Sequence, residues 1–132
     1  MRAFIDTSGF YAMLDRDDAN HSKAKKIWSN LLVSDNFLIT SNYVLIETFA
    51  LAQNRLGLEA VRGLQEDIIP LLNIEWIKLE THNTGMGALL TASKRKLSLV
   101  DCVSFEIMRA LGLKLVFAFD PHFSDQGFTL LT

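Results

Sequence analysis

Short apolar runs alternate with longer amphipathic stretches along the chain. Met1 to Ile5 is apolar and runs into Asp6-Thr7-Ser8-Gly9, which predicts a strand feeding a helix. Phe10, Tyr11 and Leu14 then recur at helical spacing until the polar break at Asp15-Arg16-Asp17-Asp18. Asn20 is the expected N-cap of a second helix with Ala24, Ile27, Trp28, Leu31 and Leu32 on one stripe. Phe37 to Thr40 is brief and β-friendly, a second strand. A long helix is predicted from Asn42 to Leu56, closed by Gly57 as its C-cap. Leu58 to Ile69 predicts another helix, stopped by Pro70. Ile74 to Ile77 alternates as a third strand. Thr81 to about Lys96 is predicted helical, with Met86, Leu89, Leu90 and Ala92 inward and the Lys94-Arg95-Lys96 cations at the negative pole. Leu97 to Val100 is a linker, and Asp101 opens a helix ending near Gly112. Leu115 to Ala118 and Phe128 to Leu131 complete the pattern as strands.

Strands that alternate with helices imply right-handed βαβ crossovers, hence an α/β fold of three αβα layers around a mainly parallel sheet of about five strands. The 132 residues fit one domain spanning 1–132, and 49% hydrophobic composition supplies a core of that size. The lone Cys102 excludes an internal disulfide framework and a cysteine-based zinc site, which fits a reducing cytoplasmic setting. Cys102 itself reads as a core cysteine, since none of the three histidines is marked as its base. No apolar run approaches the roughly 18 residues of a membrane span, and no signal-peptide pattern opens the chain, so no membrane is expected. A formal net charge of −2 gives no global attraction to nucleic acid, so any polyanion must be held by a local site.

In parallel sheets of this kind, ligands sit beyond the carboxyl ends of the strands. Asp6 ends the first strand, and Asp120 follows the Leu115–Ala118 strand after one further residue, so both fall on one edge. Asp101 starts the helix that leads into that later strand, and Glu47 lies inside an apolar helical run from Tyr43 to Ala52. Each acid has a simpler reading when taken singly. Asp6 suits a turn, Asp101 an N-cap, and Asp120 before Pro121 a turn start. Glu47, between Val44 and Leu51 on its face, sits either on a narrow solvent stripe or indoors with a partner. Together they are harder to explain that way. No Lys or Arg lies within four residues of Glu47, Asp101 or Asp120, and only Arg2 is near Asp6. Converging carboxylates without cations raise one another's pKa, and a divalent ion removes that penalty. Ligation by carboxylates and water suits Mg²⁺ or Mn²⁺, and such sites favour phosphoester chemistry.

Four ordered segments carry a resemblance: Phe4-Ile5-Asp6-Thr7-Ser8, Thr40 to Thr48, Leu97 to Phe105, and Ala118-Phe119-Asp120-Pro121-His122-Phe123, with Gly127-Phe128 following. The chain resembles the PIN-domain ribonucleases, most closely the VapC-like toxins of toxin–antitoxin pairs, over essentially its whole length. The resemblance implies a PIN-like fold and an acidic quartet of Asp6, Glu47, Asp101 and Asp120 that holds Mg²⁺ or Mn²⁺ for endonucleolytic RNA hydrolysis. It also implies products with 5′-phosphate and 3′-hydroxyl ends. Ser8 and Ser104 match the small hydroxyl positions beside the quartet. The sequence departs from the pattern at Ala118, where many relatives carry Thr. His122 occupies a variable position and reads as a loop histidine rather than a ligand.

For an RNA substrate, Lys23, Lys25, Lys26 and the Lys94-Arg95-Lys96 cluster are the candidate phosphate contacts, the latter favoured because the next segment leads into Asp101, against the alternative of a solvated helix face. Phe10, Tyr11 and Leu14 with Trp28, Leu31 and Leu32 either complete the core or leave a groove for an antitoxin helix, which the resemblance implies along with a homodimer. A phospho-acceptor receiver module is the rival from another class. It lacks support here, because Asp6 is followed by Thr7-Ser8 and no lysine follows Asp120. A non-catalytic PIN scaffold, or a PIN nuclease in RNA processing outside a toxin system, are the alternatives within the fold.

Overall fold

Ala3, Phe4 and Ile5 are successive residues, so their side chains point alternately to opposite faces, yet each is fully buried. Val116 and Phe117 repeat the arrangement. Such strands demand cover on both sides, and the helices supply it as outer layers. The computed structural model describes residues 1–33 and 35–132. Its strands are β1 (Arg2–Ile5), β2 (Phe37–Ser41), β3 (Asn73–Glu75), β4 (Leu115–Phe117) and β5 (Thr129–Leu130). They form one sheet in the order β3-β2-β1-β4-β5, and all four pairings are parallel. The chain builds outward from β1 in one direction, then crosses to lay β4 and β5 on the other side. The topological switch therefore falls between β1 and β4, where a crevice opens at the carboxyl edge. This order also differs from the β2-β1-β3-β4-β5 order of flavodoxin-like folds, which argues against the receiver reading.

The helices are α1 (Thr7–Leu14), α2 (His21–Leu32), α3 (Asn42–Leu56), α4 (Leu58–Gly63), α5 (Leu79–Ala92), α6 (Leu99–Leu111) and α7 (His122–Asp125). Ser41 caps α3 by accepting from Val44 N at 3.2 Å, and Gly57 ends it at φ 94°, as its sequence position predicts. Thr7 and Thr48 join α1 to α3. The Thr7 hydroxyl lies 3.3 Å from the Val44 carbonyl, and the Thr48 hydroxyl lies 2.7 Å from that same carbonyl and 3.1 Å from Thr7 Oγ1.

Several sequence expectations are corrected. Pro70 does not stop the helix before it. After α4 the backbone widens into a π turn (Leu64–Ile68) and tightens into a 3₁₀ turn (Ile69–Leu71) that contains the proline. A proline in the opening of such a turn lacks only an N–H that has no partner there. β3 stops at Glu75, because Ile77 N donates to Asn42 Oδ1 at 2.7 Å, leaving Trp76 exposed. α5 ends at Ala92, where Ser93 turns left-handed at φ 53°, so Lys94, Arg95 and Lys96 lie beyond the helix. On α5, Leu90 and Ala92 face solvent; the close contact with α6 is made by Gly85, where an added Cβ would stand 2.6 Å from Val103 Cγ2. Asn20 occupies the N-cap position of α2 without a side-chain cap bond. Phe10, Tyr11 and Leu31 are buried core and Trp28 stacks on Phe117 at 6.4 Å, which leaves Leu32 as the exposed member of that group. The early helices spend most of their apolar surface inward.

Gly9 fixes how closely α1 crosses the sheet. A Cβ there would lie 2.4 Å from the Phe117 carbonyl oxygen, and backbone cannot swing aside as a side chain can. That carbonyl also accepts from Asp6 N at 3.1 Å. Gly9→Ala is expected to cost about 2–3 kcal/mol, through overpacking at the junction of β1 and β4. Urea unfolding checks this, and an unchanged midpoint would contradict the tight crossing.

Candidate active site

Asp6 leaves β1 in extended conformation and becomes the N-cap of α1. Its Oδ2 accepts from Ser8 N at 3.1 Å and from Ser8 Oγ at 2.7 Å. Ser8 Oγ in turn accepts from Phe119 N at 2.9 Å. One serine thus ties the end of β1 to the chain leaving β4, and holds an acid at the switch point. Asp6 is 3% exposed, and burial lifts its pKa to about 7. The Ser8 hydrogen bonds oppose that rise, while the charges of Asp101 and Glu47 add to it.

Asp101 is not the N-cap of its helix. Ser98 takes that place, and Asp101 sits three residues on in a reciprocal capping box, with Oδ2 accepting from Ser98 N and Ser98 Oγ accepting from Asp101 N, both at 3.0 Å. The Ser98-x-x-Asp101 spacing was the readable signal for this. Burial raises the Asp101 carboxyl above its ordinary range and Asp120 pushes it further, against the Ser98 hydrogen bonds. Glu47 projects from the middle of α3 and keeps substantial solvent contact, so it is neither sealed indoors nor paired with a cation. Partial desolvation still raises its pKa, helped by Asp101 and Asp120 and opposed by a hydrogen bond from Thr7. Asp120 is half-buried, and its Oδ1 accepts from His122 N at 2.9 Å, closing a small turn after β4.

All four acids line one cavity of about 330 Å³, with Ser8 in its wall. Among the described residues, no lysine or arginine forms an ion pair with any of them. Asp18 and Asn20 also line this cavity, although in the sequence Asp18 reads only as part of a polar break and Asn20 only as a helix N-cap. His122 is misjudged as a plain loop histidine. Its Nδ1 lies 2.9 Å from Asp120 Oδ1 and 4.0 Å from Asp101 Oδ2, so the ring belongs to the acid cluster. Ser104 is buried, and its hydroxyl donates to the Val100 carbonyl at 2.8 Å. Lys94 and Arg95 are exposed beside a separate groove formed with Leu89, Leu90 and Leu97; Lys96 is also exposed, and none of the three lines the acid cavity.

Carboxylates that raise one another's pKa, with no lysine or arginine paired to them among the described residues, form a donor set suited to a hard divalent cation. The fold and this acid-lined crevice agree with the family comparison. The family model of the PIN domain matches residues 3–128, and the chain belongs to the PIN domain family. It is 32% identical over 126 residues to the 23S rRNA-specific endonuclease VapC20 of Mycobacterium tuberculosis, an alignment covering 95% of this chain and 94% of that protein. The crystal structure of M. tuberculosis VapC20, a sarcin–ricin loop cleaving toxin, matches with a TM-score of 0.85 at 31% identity over 96% of each chain. FitAcB from Neisseria gonorrhoeae shares the fold, with a TM-score of 0.70 at 15% identity over 100% of this chain and 97% of that one. No helix among the described residues is long and apolar enough to cross a membrane.

Proposed function

We propose that this protein is a Mg²⁺- or Mn²⁺-dependent endoribonuclease with ribosomal RNA as its substrate class, acting in the cytoplasm as the toxin of a toxin–antitoxin pair. The observation that carries this reading is the meeting of Asp6, Glu47, Asp101 and Asp120 around one cavity without a balancing lysine or arginine. Likeness to VapC20 along nearly the whole chain supports the choice of RNA. The same likeness underlies a single catalytic domain over 1–132 and an antitoxin partner.

Asp6, Glu47, Asp101 and Asp120 would hold a divalent ion, which when bound would supply activation of water at neutral pH and neutralisation of charge on the phosphoryl oxygens. The chain's own contribution is to hold four carboxylates in place before the substrate arrives. Ser8 fixes Asp6 from two directions, and Ser98 fixes Asp101. No side-chain nucleophile is required, and buried Cys102 takes no part. Lys94, Arg95 and Lys96 serve the approach of RNA through their field rather than through contact at the cavity. The partly buried Leu14 and Trp28, together with exposed Leu32, form the apolar anchor offered to an antitoxin helix, and self-association is part of the same reading.

The test is incubation of the purified protein with intact ribosomal RNA and with an unrelated structured RNA, each with Mn²⁺, with Mg²⁺ and with EDTA. Discrete cuts in the large-subunit RNA that need either ion and vanish with EDTA are expected. Absence of cutting with both ions, or cutting that persists in EDTA, would overturn the proposal.

A further inference from the structure

His122 stands against two of the four acids, Asp101 and Asp120, without being one of the quartet. Its Nδ1 is shielded from solvent and makes no hydrogen bond, although it lies only 2.9 Å from Asp120 Oδ1. A buried ring nitrogen without a partner is costly, and such exceptions call for an explanation. Asp120 Oδ1 already accepts from His122 N, and Asp101 Oδ2 from Ser98 N, so each oxygen keeps one lone pair free. One ligand atom from each of Asp101, Asp120 and His122 lies within 4.8 Å of the others.

We propose that His122 Nδ1 is a metal ligand, sharing with Asp101 and Asp120 one ion of the site described above, and that this nitrogen biases the site toward Mn²⁺ over Mg²⁺. The inference rests on the quartet being a metal site, and adds a donor of a different element to it. The spacings fit a common ion. For metal–donor bonds of about 2.1 Å in an octahedral shell, adjacent donors sit about 3.0 Å apart and opposite ones about 4.2 Å. The 2.9 Å to Asp120 and the 4.0 Å to Asp101 both fall within the span that two donors of one such ion can have. Neutral imidazole ligates through its bare nitrogen, which leaves Nε2 to carry the proton. Mg²⁺ prefers an all-oxygen shell and gains little from that nitrogen, whereas Mn²⁺, the weakest binder of the first-row transition series, still accepts imidazole more readily than Mg²⁺ does. Position in the chain explains the placement: α7 begins at His122, two residues after Asp120, and the turn between them folds the ring back over the carboxylate.

Pulsed EPR of the whole protein loaded with Mn²⁺ tests this without any activity measurement. A ¹⁴N modulation from imidazole on Mn²⁺ is expected in the unaltered protein, and ¹⁵N-histidine labelling should change its frequency. The other two histidines are engaged elsewhere, His21 Nδ1 with the Ala12 carbonyl and His82 Nδ1 with Tyr43, so the signal has one source. His122→Gln should erase the modulation and weaken Mn²⁺ binding by calorimetry about tenfold, with Mg²⁺ affinity changed less than about twofold. Mn²⁺ bound without nitrogen modulation would overturn the ligand assignment alone. An unchanged ratio of Mn²⁺ to Mg²⁺ affinity in His122→Gln would overturn the selectivity. Failure of Mn²⁺ to bind the unaltered protein at all would overturn both this inference and the metal-dependent nuclease reading. The spectrum of the unaltered protein decides the ligand question even if the variant folds poorly.

Discussion

Replacing Asp6 with Asn is expected to slow RNA cleavage by about a thousandfold or more while leaving the fold in place. Asp101→Asn should do the same. Each substitution removes one anionic donor from the shared cavity, and losing several kcal/mol of transition-state charge stabilisation corresponds to rate losses of about that size. The fold survives because the structural duties of both acids pass to the amide. Asn is as good an N-cap as Asp, and its carbonyl oxygen can still accept from Ser8 N and Ser8 Oγ. At position 101 the amide oxygen can still accept from Ser98 N. Single-turnover cleavage with Mn²⁺, beside far-ultraviolet circular dichroism, separates lost chemistry from lost structure. Undiminished cleavage by both variants would show that the carboxylates are bystanders.

The second large effect concerns stability and its dependence on pH. Asp6 titrates near 3.8 when the chain is unfolded and near 7 when folded. Between those values the folded chain keeps a proton that the unfolded chain has released. Stability of the metal-free protein therefore falls as pH rises from about 4 through 7, and levels off above. The full shift of this buried group corresponds to about 4 kcal/mol. Glu47 and Asp101 are raised in the same direction and steepen the slope. A bound divalent ion requires the deprotonated carboxylates, so saturating Mn²⁺ should restore stability at pH 8 and do little at pH 5. Asp6→Asn should flatten the metal-free slope. Urea unfolding across this range, with EDTA and then with Mn²⁺, checks all three points. Metal-free stability that climbs between pH 5 and 8 would contradict the crowded-acid account.

Much of this arrangement was legible because burial on both faces leaves a plain mark. Phe4-Ile5 and Val116-Phe117 are uninterrupted apolar pairs, and each runs into an acid within a few residues. That pattern alone puts Asp6 and Asp120 on one rim. The other differences have other causes: a contact distant in sequence, a single backbone angle or, for Ser104, a hydroxyl bound back to its own helix. α5 ends at Ser93 through one left-handed residue, although helical periodicity continues to Lys96. Leu90 looks inward by spacing, yet the approach of Gly85 to Val103 rotates it outward. Ser104 matches a site position in sequence, but the carbonyl four residues back captures its hydroxyl. His122 looks like a plain loop residue in the sequence because its chemistry arises only when Asp101, at the start of another helix, is brought alongside.

The hydroxyl contacts of Thr7 and Thr48 have a bearing on ion affinity. They cross-link the first turn of α1 to the middle of α3 within a fully dry seam, one residue away from Asp6 on one side and from Glu47 on the other. Neither helix can slip along its neighbour without breaking them. The gap spanned by those two carboxylates is consequently rigid, and an arriving cation meets a preassembled claw instead of having to gather its own ligands.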